Sequence, residues 1–247
     1  MQNQENIEIV EPKLFSGVVA DELIASISDA ISDHGKCSLV LSGGKTPGEI
    51  YRTMALPPRV EEVDWSKLIL YWGDERFVPQ HDVQSNFQTV KETLLALLPE
   101  DGPTVHPIDT ALKSAAAAAE AYEKSIRSAE KIGAQDLPVF DLVMLGVGED
   151  GHIASIFPGS PMIKKPTGKL CSAATAPDGE IERISLTPEA IFAAKKILII
   201  VRGESKADIV QQVLRGSESE VNMPAMLYKR GGAKVTWFLD SAAAKKL

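Results

Sequence analysis

Short, unbroken apolar runs recur along this chain, and each gives way to a polar segment that contains glycine. Cys37-Ser-Leu-Val-Leu41, Leu68-Ile-Leu-Tyr-Trp72, Leu142-Val-Met-Leu145 and Ile197-Leu-Ile-Ile-Val201 have this form, and Lys234-Val-Thr-Trp-Phe-Leu239 reads as a last strand. Runs that lack the alternation of a half-exposed strand predict strands buried on both faces. Stretches with helical spacing lie between them. Asp21 to His34 puts Leu23, Ile24, Ile27 and Ile31 on one helix face, with Gly35 as its stop. Pro47 suits the first turn of a helix that continues from Glu49 to Met54. Thr110 to Ile132, rich in Ala, Glu and Lys, predicts a surface-covering helix, and another runs from Lys206 to Leu214. Such alternation predicts an α/β protein, a single doubly wound domain over residues 1–247 with a mostly parallel sheet and helices on both faces. Phe157 to Asp178 is expected to be irregular. No linker-like tract and no internal repeat divides the chain.

In an open parallel sheet, ligands bind beyond the carboxyl ends of the strands, so the segments that follow the apolar runs are where chemistry is expected. Ser42, Gly43, Gly44, Lys45 and Thr46 look like a phosphate cradle, because glycines let backbone N–H groups approach an anion at a helix N-terminus. It is not a Walker A loop, since Leu39 occupies the position of that motif's first glycine. The second segment supplies Asp74, Glu75 and Arg76, and the fourth supplies Arg202 and Lys206. Arg76 and Lys206 are candidate partners for a phosphate or a developing negative charge. Asp74 and Glu75 either orient Arg76 or bind sugar hydroxyls.

The third segment carries the most. Leu142 to Leu145 ends at Gly146-Val-Gly-Glu-Asp-Gly-His152, which offers a titratable imidazole with the Asp150 carboxylate two residues away. His152 is read as a general base near neutral pH. Gly146 to Gly151 also matches the dinucleotide-binding pattern, which requires a helix at the loop and an acidic residue about 20 positions on. Pro158, Pro161 and Pro166 would interrupt that helix, and no Asp or Glu occurs between Gly151 and Asp178. No role is assigned to His34, His81 or His106.

Composition narrows the classes. Of 247 residues, 44% are hydrophobic, enough for a large core, and the net charge of −8 with no basic block argues against nucleic-acid and membrane partners. Two cysteines, Cys37 and Cys171, are too few for a disulfide framework or a zinc site. The N-terminal residues lack the apolar stretch of a secretory signal. A cytoplasmic protein, monomeric or a small homo-oligomer, is expected.

Leu41-Ser-Gly-Gly-Lys-Thr-Pro47, Trp72-Gly-Asp-Glu-Arg-Phe-Val-Pro79, Ser85-Asn86 and Gly146 through Gly159 together resemble the 6-phosphogluconolactonase family. The resemblance implies a Rossmann-like fold related to those of glucosamine-6-phosphate deaminase and ribose-5-phosphate isomerase. It implies hydrolysis of 6-phosphoglucono-δ-lactone in the pentose phosphate pathway, with a sugar phosphate as small-molecule substrate and no metal or cofactor. His152 and Asp150 would be catalytic. Ser42, Gly43, Gly44, Lys45, Thr46, Asp74, Arg76, Asn86, Gly151, Arg202 and Lys206 would bind substrate, with the division between phosphate and oxyanion left open. The deaminases share the Asp-Gly-His loop but continue Ile-Ala-Phe-Asn-Glu-Pro, and their acidic motif usually reads Asp-Glu-Tyr. This chain has Phe157 where they have Glu, and Arg76 where they have Tyr. A further alternative is a sugar-phosphate-binding regulator without catalysis.

Overall fold

The computed structural model describes residues 6–164, 168–177 and 179–247; Pro166 and Asp178, used in the sequence argument, lie outside them. The strands are β1 (Asn6–Val10), β2 (Cys37–Leu41), β3 (Leu68–Trp72), β4 (Asp74–Arg76), β5 (Thr104–His106), β6 (Leu142–Gly146), β7 (Cys171–Thr175), β8 (Glu182–Leu186), β9 (Lys196–Val201) and β10 (Val235–Asp240). The helices are α1 (Phe15–His34), α2 (Lys45–Met54), α3 (Asn86–Thr93), α4 (Ala115–Glu130), α5 (Pro161–Lys164), α6 (Pro188–Phe192), α7 (Ala207–Arg215) and α8 (Tyr228–Gly231).

A seven-stranded sheet in the order β1-β10-β9-β6-β2-β3-β5 forms the centre, and each of its neighbouring pairs is parallel. Every residue of β2 is buried, as are the first four of β6. Burial on both faces is why these strands read as continuous apolar runs. Helix α2 packs against both α1 and α3. Helix α1 buries Phe15, Val19, Leu23, Ile24 and Ile27, and ends where Gly35 turns left-handed at φ 83° and returns its N–H to the Ile31 carbonyl. The fold class is the one expected: mostly parallel, doubly wound and covered on both faces.

Several elements differ from expectation, each for a physical reason. β1 and β5 lie at the sheet edges and are largely exposed, so neither shows an apolar run. Asp74–Arg76 is not a loop but the short strand β4, paired antiparallel with β8 in a second sheet ordered β4-β8-β7. The stretch expected to be irregular contains α5 and β7, and β7 finds its partners only through β8. Helix α4 packs on β7 and β8.

The chain leaves β2 outward to β3 and β5, then returns to β6 beside β2 and proceeds outward to β9 and β10. The reversal between β2 and β6 is the topological switch point, where doubly wound sheets open a crevice. The segments after β2, β6 and β9 carry Ser42, His152 and Lys206.

Candidate active site

A cleft of about 240 Å³ opens at the switch point, lined by Ser42, Gly43, Asp74, Arg76, Asn86, Gly146, Val147, Gly148, His152, Ala154 and Lys206. Its residues come from both sheets. Tyr51, fully buried in α2, pins the first wall by donating its hydroxyl to the Ser42 carbonyl (2.8 Å) and accepting the Ser42 N–H (3.0 Å). Gly43 is glycine because a Cβ there would lie 1.8 Å from Asn86 Oδ1.

The His152 loop is a compact backbone knot. Gly148 donates its N–H to the His152 carbonyl (2.8 Å), and Gly151 donates to the Gly148 carbonyl (3.0 Å). The His152 Nδ1 lies 2.6 Å from Asp150 Oδ1, and the same oxygen accepts the His152 backbone N–H at 3.1 Å. Burial pushes the Asp150 carboxyl up, but hydrogen bonding to His152 and that residue's charge outweigh it and hold the carboxyl below its ordinary value. Gly151 has φ +81°, and a Cβ on it would meet Met223 Cγ at 2.8 Å, so Gly151 shapes the loop from beneath and does not line the cleft. The Phe157 ring rests against the imidazole, centroids 4.8 Å apart.

Glu75 explains how the opposite wall is held. It is buried, and its two oxygens accept the backbone N–H groups of Arg76 (2.7 Å), Asn86 (2.7 Å) and Phe87 (2.8 Å) and the Ser85 hydroxyl (3.1 Å). Burial raises its pKa, the backbone donors oppose that shift, and neighbouring Asp74 adds to it. Glu75 is thus a cap on the start of α3 and not a ligand for sugar hydroxyls. Asn86 donates to the Asp74 carbonyl (2.8 Å), and Asp74 Oδ2 accepts the Ser155 hydroxyl (2.6 Å), which ties β4 to the His152 loop. Nothing in the local sequence signals the Asp74–Ser155 contact, because the two residues are 81 positions apart.

Both cations expected near an anion are present. Arg76 donates to the Gln84 carbonyl (2.7 Å), and Lys206 Nζ donates to the Val147 carbonyl (2.9 Å); each retains further N–H donors. Arg202 is a correction. It does not line the cleft but pairs with Glu49, lies 4.0 Å from the buried Asp240 carboxylate and donates to the Pro12 carbonyl. Two carboxylates draw the guanidinium to the outer side of β9. Gly44, Lys45 and Thr46 are also absent from the cleft lining. Helix α2 starts at Lys45, so Lys45 and Thr46 form its first turn, and Lys45 is exposed.

His34 and His106 hold structural contacts, with Asp141 (2.8 Å) and stacked on Tyr71 respectively. Cys37 is fully buried, its thiol pushed up to about 12 by burial and by Asp141. Among the described residues, no cluster of three or more His, Cys, Asp or Glu is placed to hold a metal ion, and no helix is long and apolar enough to cross a membrane.

The model of a family described as glucosamine-6-phosphate isomerases/6-phosphogluconolactonase matches residues 11–237. A 6-phosphogluconolactonase of Streptomyces coelicolor is 37% identical over 244 residues, which span 96% of this chain and 92% of that protein. The solved 6-phosphogluconolactonase of Trypanosoma brucei superposes with a TM-score of 0.85 at 28% identity, covering all of both chains. A monomeric glucosamine-6-phosphate deaminase also superposes, with a TM-score of 0.79 but 20% identity, a likeness of fold alone. With its sheet order, its cleft at the switch point and a family match over nearly its whole length, this chain belongs to the glucosamine-6-phosphate isomerase/6-phosphogluconolactonase family.

Proposed function

We propose that this protein hydrolyses 6-phospho-D-glucono-1,5-lactone to 6-phospho-D-gluconate, the lactonase step of the oxidative pentose phosphate pathway. One observation carries the reading: a 2.6 Å His152–Asp150 pair on a cleft that also presents Arg76 and Lys206. Asp150 occupies Nδ1 and favours the tautomer in which Nε2 accepts a proton. Nε2 takes that proton from a water as its oxygen attacks C1. The carbonyl oxygen gains charge, which a cationic donor stabilises. Collapse of the tetrahedral intermediate breaks the C1–ring-oxygen bond, and the imidazolium returns the proton to the leaving oxygen. Arg76 and Lys206 divide phosphate binding and oxyanion stabilisation between them, so that a remote phosphate orients C1 against the water. Asp74 and Asn86 face the sugar hydroxyls.

The deaminase reaction is the less favoured one. Phe157, apolar and packed on the His152 ring, stands where the deaminase pattern has a proton-relaying Glu. The whole chain works as one catalytic domain, a cytoplasmic monomer or small homo-oligomer without nucleic-acid or membrane partners and without a metal.

The test is turnover of lactone generated in the cuvette, corrected for spontaneous hydrolysis, beside ammonia release from glucosamine 6-phosphate. Lactone turnover that survives chelation is expected. Ammonia release, or activity lost to chelator and restored by zinc or magnesium, would overturn the reading. His152→Ala is expected to lower kcat by about 10²–10⁴-fold, the usual contribution of a positioned base.

A further inference from the structure

Ala154 stands out in the backbone. Among the described residues, the non-glycine positions with positive φ are Lys131 and Ala154. Lys131 ends helix α4, where a left-handed residue is ordinary. Ala154, at φ +47°, ends no helix. It sits two residues after His152, in a tight turn closed by the Ile156 N–H to the Ile153 carbonyl (2.9 Å). A residue with a Cβ is disfavoured in this conformation, and glycine would adopt it freely. The surroundings hold the turn nonetheless. Ile153 and Ile156 are fully buried, the Ser155 hydroxyl bonds Asp74 (2.6 Å), and the Ser155 N–H bonds the Ser185 hydroxyl (3.2 Å).

A Cβ is therefore present at a position whose backbone would be easier without one. Strain of this kind, imposed by over-determined surroundings, gathers at functional sites. Ala154 packs on the edge of the core and at the same time lines the cleft beside His152.

We infer that Ala154 is a specificity-determining residue, whose methyl group forms the apolar wall that seats the sugar ring against His152. The inference rests on the proposed lactonase reading. The methyl excludes water from the ring face turned towards it and narrows the positions that C1 can take before the base. Its removal leaves every polar group of the cleft in place.

The experiment compares wild type and Ala154→Gly by lactone kinetics and thermal unfolding. Wild-type turnover tests the lactonase reading by itself; the ratio of variant to wild type tests the inference. In Ala154→Gly, kcat/KM is expected to fall about tenfold, the discrimination one missing methyl confers in an apolar pocket. Its Tm should be equal to or above that of wild type, because the backbone strain is released. Wild-type kcat/KM in Ala154→Gly would overturn the inference. So would a Tm loss in that variant that parallels its loss of activity, since the residue would then be holding the fold and not the substrate.

Discussion

The Gly148→Ala substitution separates catalysis from stability at the centre of the site. A Cβ built on Gly148 lies 2.1 Å from His152 Nδ1, 2.2 Å from Cε1 and 2.6 Å from Asp150 Oδ1. These are impossible contacts, and each involves the end of a side chain and not the backbone. The φ of Gly148 is not in the left-handed region, so alanine avoids the strain of a positive φ there. The added methyl must push the imidazole and the carboxylate apart, and both have room to swing outward, being 33% and 40% exposed. Loss of so exposed a pair costs about 0–1 kcal/mol, which for a chain of this length lowers Tm by roughly 0–4 °C. The expected catalytic loss is far larger. Displacing a positioned base lowers kcat by about 10²–10⁴-fold, or about 2.7–5.5 kcal/mol of barrier. The assay is lactone turnover at saturating substrate beside a thermal melt. A kcat within about threefold of wild type would show that the pair as placed here is not the catalytic base. A Tm drop beyond about 10 °C would show that the loop is a structural keystone whose disruption spreads.

Arg202→Ala and Lys206→Ala are expected to behave oppositely. Arg202 serves Glu49 and Asp240, so its loss should lower Tm by a few degrees and leave KM within about twofold. Lys206 reaches the cleft, and losing a charge-assisted bond to an anion should raise KM by about ten- to a hundredfold with little change in Tm. The Asp150 carboxyl is held below its ordinary 3.8, so its contribution to stability is fully present above that pH and is lost as pH falls through the lower folded value. Melts of wild type and Asp150→Asn should therefore draw together as pH falls below that ordinary value; an offset that grows on acidification there would contradict the assigned pairing.

Legibility in the sequence followed burial. β2, β3, β6 and β9 are interior strands, and an interior strand has to be apolar on both faces, so their boundaries are nearly visible as text. β1, β4, β5 and β7 lie at sheet edges or in the small sheet; what makes β1, β4 and β5 strands is a hydrogen-bonding partner remote in sequence, whereas β7 pairs with the β8 that follows it. Within the site, the His152–Asp150 pair was readable because two residues of chain impose proximity. Glu75 was ambiguous because an acidic side chain reads alike whether it faces solvent or caps a helix. Arg202 misled because a basic residue after a strand carries no mark of the direction in which it will be drawn.

Determined by the sequence itself, then, were the parallel sheet, the crevice at the carboxyl ends of its strands, and an imidazole with its carboxylate on a glycine loop. Each of these follows from burial, chain connectivity or short spacing, which are properties of the chain as written. Tertiary structure alone decided which cations face the cleft, that Glu75 is a buried cap, that Asp74 and Ser155 tie β4 to the His152 loop, and that Ala154 is held against its backbone preference. These depend on contacts between segments far apart in sequence and, for Arg202, on competition between the cleft and the Glu49 and Asp240 carboxylates for its guanidinium. Only folding settles that competition, because its outcome is set by distance and burial and not by residue type.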